Sequence, residues 1–123
     1  MKPGRRAVLL ALWAWPSARA GAAKVSAVEA ARIERLIAFV AGQKRVAFIR
    51  NGSAYSSREA AQFLRAKYSK MGEHVTSAAD FIEQIAARSS TSGEPYLMRF
   101  PDGRTLPAAQ VLADELRRID SRR

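Results

Sequence analysis

The residues best suited to chemistry fall in three short stretches. In the first, Arg50-Asn51-Gly52 is followed by Tyr55-Ser56 and then Glu59. A guanidinium grips a carboxylate or phosphate through two parallel N–H bonds. The free amides of a helix opening after Ser56 would add a field that favours anions. The same residues also read plainly as a turn at Asn51-Gly52, a helix cap made by Ser56 and Glu59, and an ion-pair partner in Arg50. The second stretch is Ser89, Ser90, Ser92 and Gly93, just ahead of Tyr96. Its hydroxyls and pliant backbone could form an anion nest, or simply a helix end and a loop. The third is Arg65, Lys67 and Lys70, a basic stripe for anionic polymers or a solvated helix face.

Covalent chemistry has little to work with. A nucleophilic serine needs a base, and the sole histidine, His74, sits in Gly72-Glu73-His74, which reads as an exposed link between helices. Paired carboxylates can cleave glycosides, so a small cell-wall hydrolase using Glu59 or Glu73 as acid/base is the alternative reading. There is no phosphate-binding glycine loop and no metal-ligand spacing. The chain has no cysteine, which excludes disulfides, thiolate zinc sites and a lipid-bearing N-terminal cysteine. No cofactor and no metal are expected.

The elements that must position these residues are legible from capping and periodicity. Ser26 with Glu29 reads as a capping box opening a first helix, with Val28, Ile33, Leu36, Ile37 and Val40 on its apolar stripe and Gly42 as its stop. Val46–Arg50 reads as a strand, Asn51-Gly52 as a turn, and Tyr55 as part of a returning stub. Ser56 with Glu59 opens a second helix running to about Lys70, with Ala60, Phe63, Leu64, Tyr68 and Met71 facing inward. Ser77 with Asp80 opens a third, its apolar face being Phe81, Ile82, Ile85 and Ala86. Tyr96–Phe100 is the second clear strand, and Pro101-Asp102-Gly103 turns the chain. Pro107 fits the first turn of a last helix lined by Ala108, Val111, Leu112, Leu116 and Ile119. The expected fold is α+β: about four helices on a small antiparallel sheet of two or three strands, in the order α-β-α-α-β-α. If the two clear strands pair antiparallel, Arg50 and Tyr55 face the serine loop and Tyr96 across one cleft.

The first twenty residues read as a secretory signal peptide. Lys2, Arg5 and Arg6 precede nine apolar residues, Ala7–Trp15, a run of signal-peptide length and too short to cross a bilayer. Pro16 then breaks the helix. Ala18 and Ala20 are small residues at the positions a signal peptidase reads, and cleavage after residue 22 is also acceptable. That leaves one domain over 24–120, large enough to bury a core unaided, with no membrane span after cleavage. The net charge is +10. Four of the 21 basic residues and none of the 11 acidic ones lie in the leader, so the remainder stays positive. Such a charge favours anionic surfaces, or merely solubility.

Two segments carry a resemblance. One is Phe48-Ile49-Arg50-Asn51-Gly52-Ser53-Ala54-Tyr55, continuing into Glu59-Ala60-Ala61 and Leu64-Arg65-Ala66-Lys67. The other is Ala79-Asp80-Phe81-Ile82, then Ile85-Ala86-Ala87-Arg88 and Ser89-Ser90-Thr91-Ser92-Gly93-Glu94-Pro95-Tyr96. Together they resemble the YfeK-like family of small bacterial proteins with signal peptides, over about Ser26 to Ile119. The resemblance implies a periplasmic or secreted bacterial protein and a domain of unknown function. It brings no activity with it. A histidine that the family pattern often places before the Leu-Arg-x-Lys segment is Phe63 here, so catalysis by a histidine there is not available. The function expected is a non-catalytic binding or interaction module in the bacterial envelope. Its partner would be an anionic envelope component or a periplasmic protein, and nucleic acid is not expected.

Overall fold

The computed structural model describes residues 25–122. The expected leader, with Ala18 and Ala20, lies outside the described residues.

Helix α1 (Ala27–Gly42) begins where Ser26, in extended backbone, turns its hydroxyl to accept the Glu29 amide at 3.2 Å. Ile33, Leu36, Ile37 and Val40 recur at helical spacing and are all but fully buried, making α1 the centre of the core. It packs on the three other helices. Val28 does not join that stripe and is 55% exposed. It stands five residues before Ile33, about 140° round the helix at 3.6 residues per turn.

The sheet has four strands: β1 (Ala47–Arg50), β2 (Ser53–Tyr55), β3 (Leu97–Arg99) and β4 (Thr105–Pro107). Their order is β2-β1-β3-β4, and every neighbour is antiparallel. Tyr55, Phe48, Met98 and Leu106 stand opposite one another across it. Directly paired residues share a face, and this is the face the helices cover: Phe48 and Met98 are buried. Arg50, two residues beyond Phe48, points to that same face.

The fold is α+β, with the order α-β-β-α-α-β-β-α. The sheet therefore has four strands where two or three were expected. β1 and β2 join through Asn51 (φ 50°) and Gly52 (φ 82°), both left-handed as a two-residue hairpin turn needs. β3 and β4 join through Pro101-Asp102-Gly103. There the Asp102 carboxylate accepts from the Arg104 amide at 3.0 Å and from Arg104 Nε at 2.8 Å. Pro107 does not sit in the first turn of the last helix. It ends β4 and caps helix α4 (Ala108–Ser121) from outside, a place open to proline because β4 is an edge strand.

Helix α2 (Ser57–Met71) carries a complete capping box: Ser56 Oγ accepts from the Glu59 amide at 3.1 Å and Glu59 Oε1 from the Ser56 amide at 2.9 Å. The other two expected boxes are half made. Glu29 sends its carboxylate to Arg32 at 2.6 Å and to the Ala78 amide at 2.7 Å, tying α1 to the turn that begins at Ala78. Asp80 sends its own to the Thr76 amide and hydroxyl. Met71, expected inside, is 48% exposed. α3 (Ala78–Phe81) makes a single α turn and continues as a π turn over Ile82–Ala86, with Phe81, Ile82, Ile85 and Ala86 buried as expected. Among the described residues no helix is long and apolar enough to cross a membrane.

Candidate functional site

Antiparallel pairing of Ile49 with Leu97 brings the end of β1 beside the start of β3. The β1–β2 turn is tied to the serine loop: Ser92 Oγ donates to Asn51 Oδ1 at 2.5 Å, and Asn51 Nδ2 donates to Ser89 Oγ at 3.4 Å. The loop also closes on itself. The Ser89 amide donates to the Glu94 carbonyl at 2.9 Å, and the Gly93 amide, at φ 77°, donates to the Ser89 carbonyl at 3.0 Å. Ser89 Oγ accepts from the Thr91 and Ser92 amides, both at 3.2 Å. Those amides therefore face the loop's own hydroxyl in place of an open backbone nest, and the hydroxyls of Ser90, Thr91 and Ser92 are partnered by Met71, Ser89 and Asn51.

Two adjoining clefts open over this corner. One, of about 380 Å³, runs between α2 and the helix-covered sheet face; Phe48, Tyr55, Leu64, Ala86 and Leu112 give it an apolar lining, with Glu59 and Gln62 at the α2 side. The other, of about 440 Å³, is lined by Asn51, Lys67, Lys70, Ser89, Ser90 and Thr91. Arg50, Phe63 and Tyr96 border both.

Arg50 sits between aromatic rings, its guanidinium carbon 4.3 Å from the Phe63 centroid and 5.2 Å from that of Tyr55. Phe63 in turn meets Tyr96 edge-on at 5.7 Å. Lys67 is 6% exposed. Its ammonium donates to the Arg88 carbonyl at 2.9 Å and to the Tyr96 hydroxyl at 3.0 Å. Burial pulls Lys67 below the ordinary lysine range, and the Arg50 charge adds to the effect. Burial pushes the Tyr96 phenol above its ordinary value, against the pull of Arg50. Among the described residues neither Arg50 nor Lys67 has a carboxylate within ion-pair distance.

Residues 27–120 match a family of unknown function, DUF5329. The chain belongs to that family. Uncharacterized protein YfeK of Salmonella typhimurium is 38% identical over 90 residues, covering 73% of this chain and 69% of its own. The YfeK-like resemblance carried by residues 48–67 and 79–96 is therefore one of family. No solved structure matches this DUF5329 chain.

In this DUF5329 member, Arg50, Asn51, Lys67, Ser89 and Tyr96 come together on one cleft, while Tyr55 and Glu59 line the apolar neighbour. Ser56 is spent on its cap, as is one oxygen of Glu59. The expected stripe of Arg65, Lys67 and Lys70 is split. Two residues apart on a helix is about 200° of rotation, so Arg65 turns away and pairs with Glu34 at 3.0 Å. Glu73 and His74 are exposed in the link between α2 and α3. Among the described residues no group of three or more His, Cys, Asp or Glu side chains could hold a metal. Phe63, read as inward-facing and as the position where the family pattern often has a histidine, is a wall of the site. The signal that finds it is the i, i+4, i+7 spacing of Phe63, Lys67 and Lys70, which puts an aromatic ring and two cations on one helical face.

Proposed function

We propose that this chain is an exported, non-catalytic binding module that holds an anionic component of the bacterial envelope in the cleft between Arg50 and Lys67. What supports this is the pair of cations without a carboxylate partner, half-buried and buried, beside a hydroxyl-bearing loop. Keeping such charges out of water without a counter-ion costs free energy, and an arriving anion recovers part of that cost. Among the described residues, the side-chain donors of Arg50 are unused and Lys67 keeps one of three. The surrounding rings of Tyr55, Phe63 and Tyr96 lower the local dielectric and strengthen a charge-assisted bond.

Amide chemical-shift mapping with a muropeptide and with a phosphorylated sugar tests this. Shifts are expected at Asn51, Lys67, Ser89 and Tyr96, weakening as salt rises and at least tenfold weaker in Arg50→Gln. Shifts confined to the far end of the sheet, around Pro101–Arg104, would overturn it.

A further inference from the structure

The apolar cleft and the cationic cleft are not independent features. They share one wall, Arg50–Phe63–Tyr96. Arg50 stands in that wall with its guanidinium against the Phe63 ring and its side-chain N–H groups unused among the described residues. A hydrophilic anion would satisfy Arg50 and leave the apolar lining wet. A purely apolar ligand would fill the lining and leave the cations with water alone. From this pairing we infer that the ligand is a single-chain anionic amphiphile, its headgroup on Arg50, Lys67 and Lys70 and its acyl chain in the cleft beneath α2. This rests on the anion-binding reading above and names the ligand class.

The dimensions agree. The lining reaches the core at Leu64, Ala86 and Leu112, which are 5%, 1% and 0% exposed, so the part of a chain that reaches them is shielded from water. At about 380 Å³ the cleft lies near the lower end of the ~300–1,000 Å³ span of small-molecule sites. Allowing ~30 Å³ for a group the size of a water molecule, it takes one chain of about a dozen methylenes and has no room for two. Burial of each methylene contributes to affinity, so chain length sets affinity while the head sets specificity. A peptide suits the site less well, because its amides would meet carbon along most of the lining. Glu59, on the α2 side, keeps one carboxylate oxygen on the Ser56 amide and disfavours an anion at that end. The head is thereby directed to the Lys67 end.

Titration calorimetry of the purified chain with decyl phosphate, inorganic phosphate and decyl maltoside, all below micelle formation, tests the inference. Decyl phosphate is expected to bind at least tenfold tighter than either of the others. Arg50→Gln should remove most of that advantage. Gln62→Trp, a substitution at an exposed rim position, should close the apolar cleft and reduce decyl phosphate to the affinity of inorganic phosphate, with the thermal midpoint unchanged. Equal binding of the two phosphates would overturn the amphiphile and leave the anion site standing. Decyl maltoside binding as tightly as decyl phosphate would overturn the charged head, and with it the anion reading. No binding of either phosphate would overturn both.

Discussion

Lys67 and Tyr96 hydrogen-bond each other and depart in opposite directions from their ordinary ionisation, because the same burial disfavours an ammonium and a phenolate alike. The consequences for stability run in sequence along the pH axis. A lysine whose folded pKa lies below its unfolded one binds fewer protons when folded. Stability therefore rises as pH climbs from the folded value of Lys67 toward the unfolded value of about 10.4. A tyrosine whose folded pKa is raised keeps its proton longer when folded, so its contribution falls once pH passes about 10. Urea midpoints followed across the alkaline range should climb and then turn down. Lys67→Met should flatten the climb, and Tyr96→Phe should flatten the descent. A Lys67→Met curve parallel to that of the native chain would show that the burial of this ammonium is not what strains the site. The midpoint of Lys67→Met also drops at every pH, since the Arg88 carbonyl loses its donor; the slope is the readout.

At the scale of elements, each of the first three helices starts at a serine whose hydroxyl accepts the amide three residues on, yet only at α2 does the acidic partner return the bond. Ser56→Ala should cost about 1 kcal/mol. Glu59→Gln, whose amide oxygen can still accept from the Ser56 amide, should cost much less. Paired urea unfolding curves check this, and equal losses would mean that the box contributes nothing beyond charge. The starts of these helices were legible because serine caps by local geometry, and the buried stripe of α1 because its period is helical. What stayed hidden has physical reasons. β2 was legible only as a stub at Tyr55, and β4 stayed hidden because its three residues end in a proline that only an edge position permits. Five residues cannot separate an α from a π period, so Ile82–Ala86 was legible as buried but not as π. The carboxylates of Glu29 and Asp80 went to Ala78 and Thr76, partners that depend on packing or on a neighbouring turn. In the site, Arg50, Lys67 and Tyr96 were nameable from type, but the division of the basic residues between two helix faces, and the role of Phe63 as a wall, depended on which side of α2 meets the sheet.

Across the whole molecule the distribution of charge bears on where the protein works. Glu29, Glu34, Asp102, Asp114, Glu115 and Asp120 each hold an arginine elsewhere in the fold, and among the described residues the cations of the cleft have no carboxylate within ion-pair distance, while the chain as a whole is strongly basic. On the proposed reading, a basic protein whose cationic cleft adjoins an apolar one would draw its ligand from the anionic lipids of the envelope, provided the chain reaches them. That condition falls on the leader. Expression in a bacterium with an intact secretory route should yield a periplasmic product whose intact mass corresponds to a start at Gly21 or Ala23. That product should show no tryptophan emission, since Trp13 and Trp15 are the only two tryptophans in the chain. A cytosolic product of full mass, still emitting as a tryptophan protein, would place the cleft among soluble phosphates. The envelope would then no longer be its source of ligand, although the geometry of Arg50, Phe63 and Lys67 would stand unchanged.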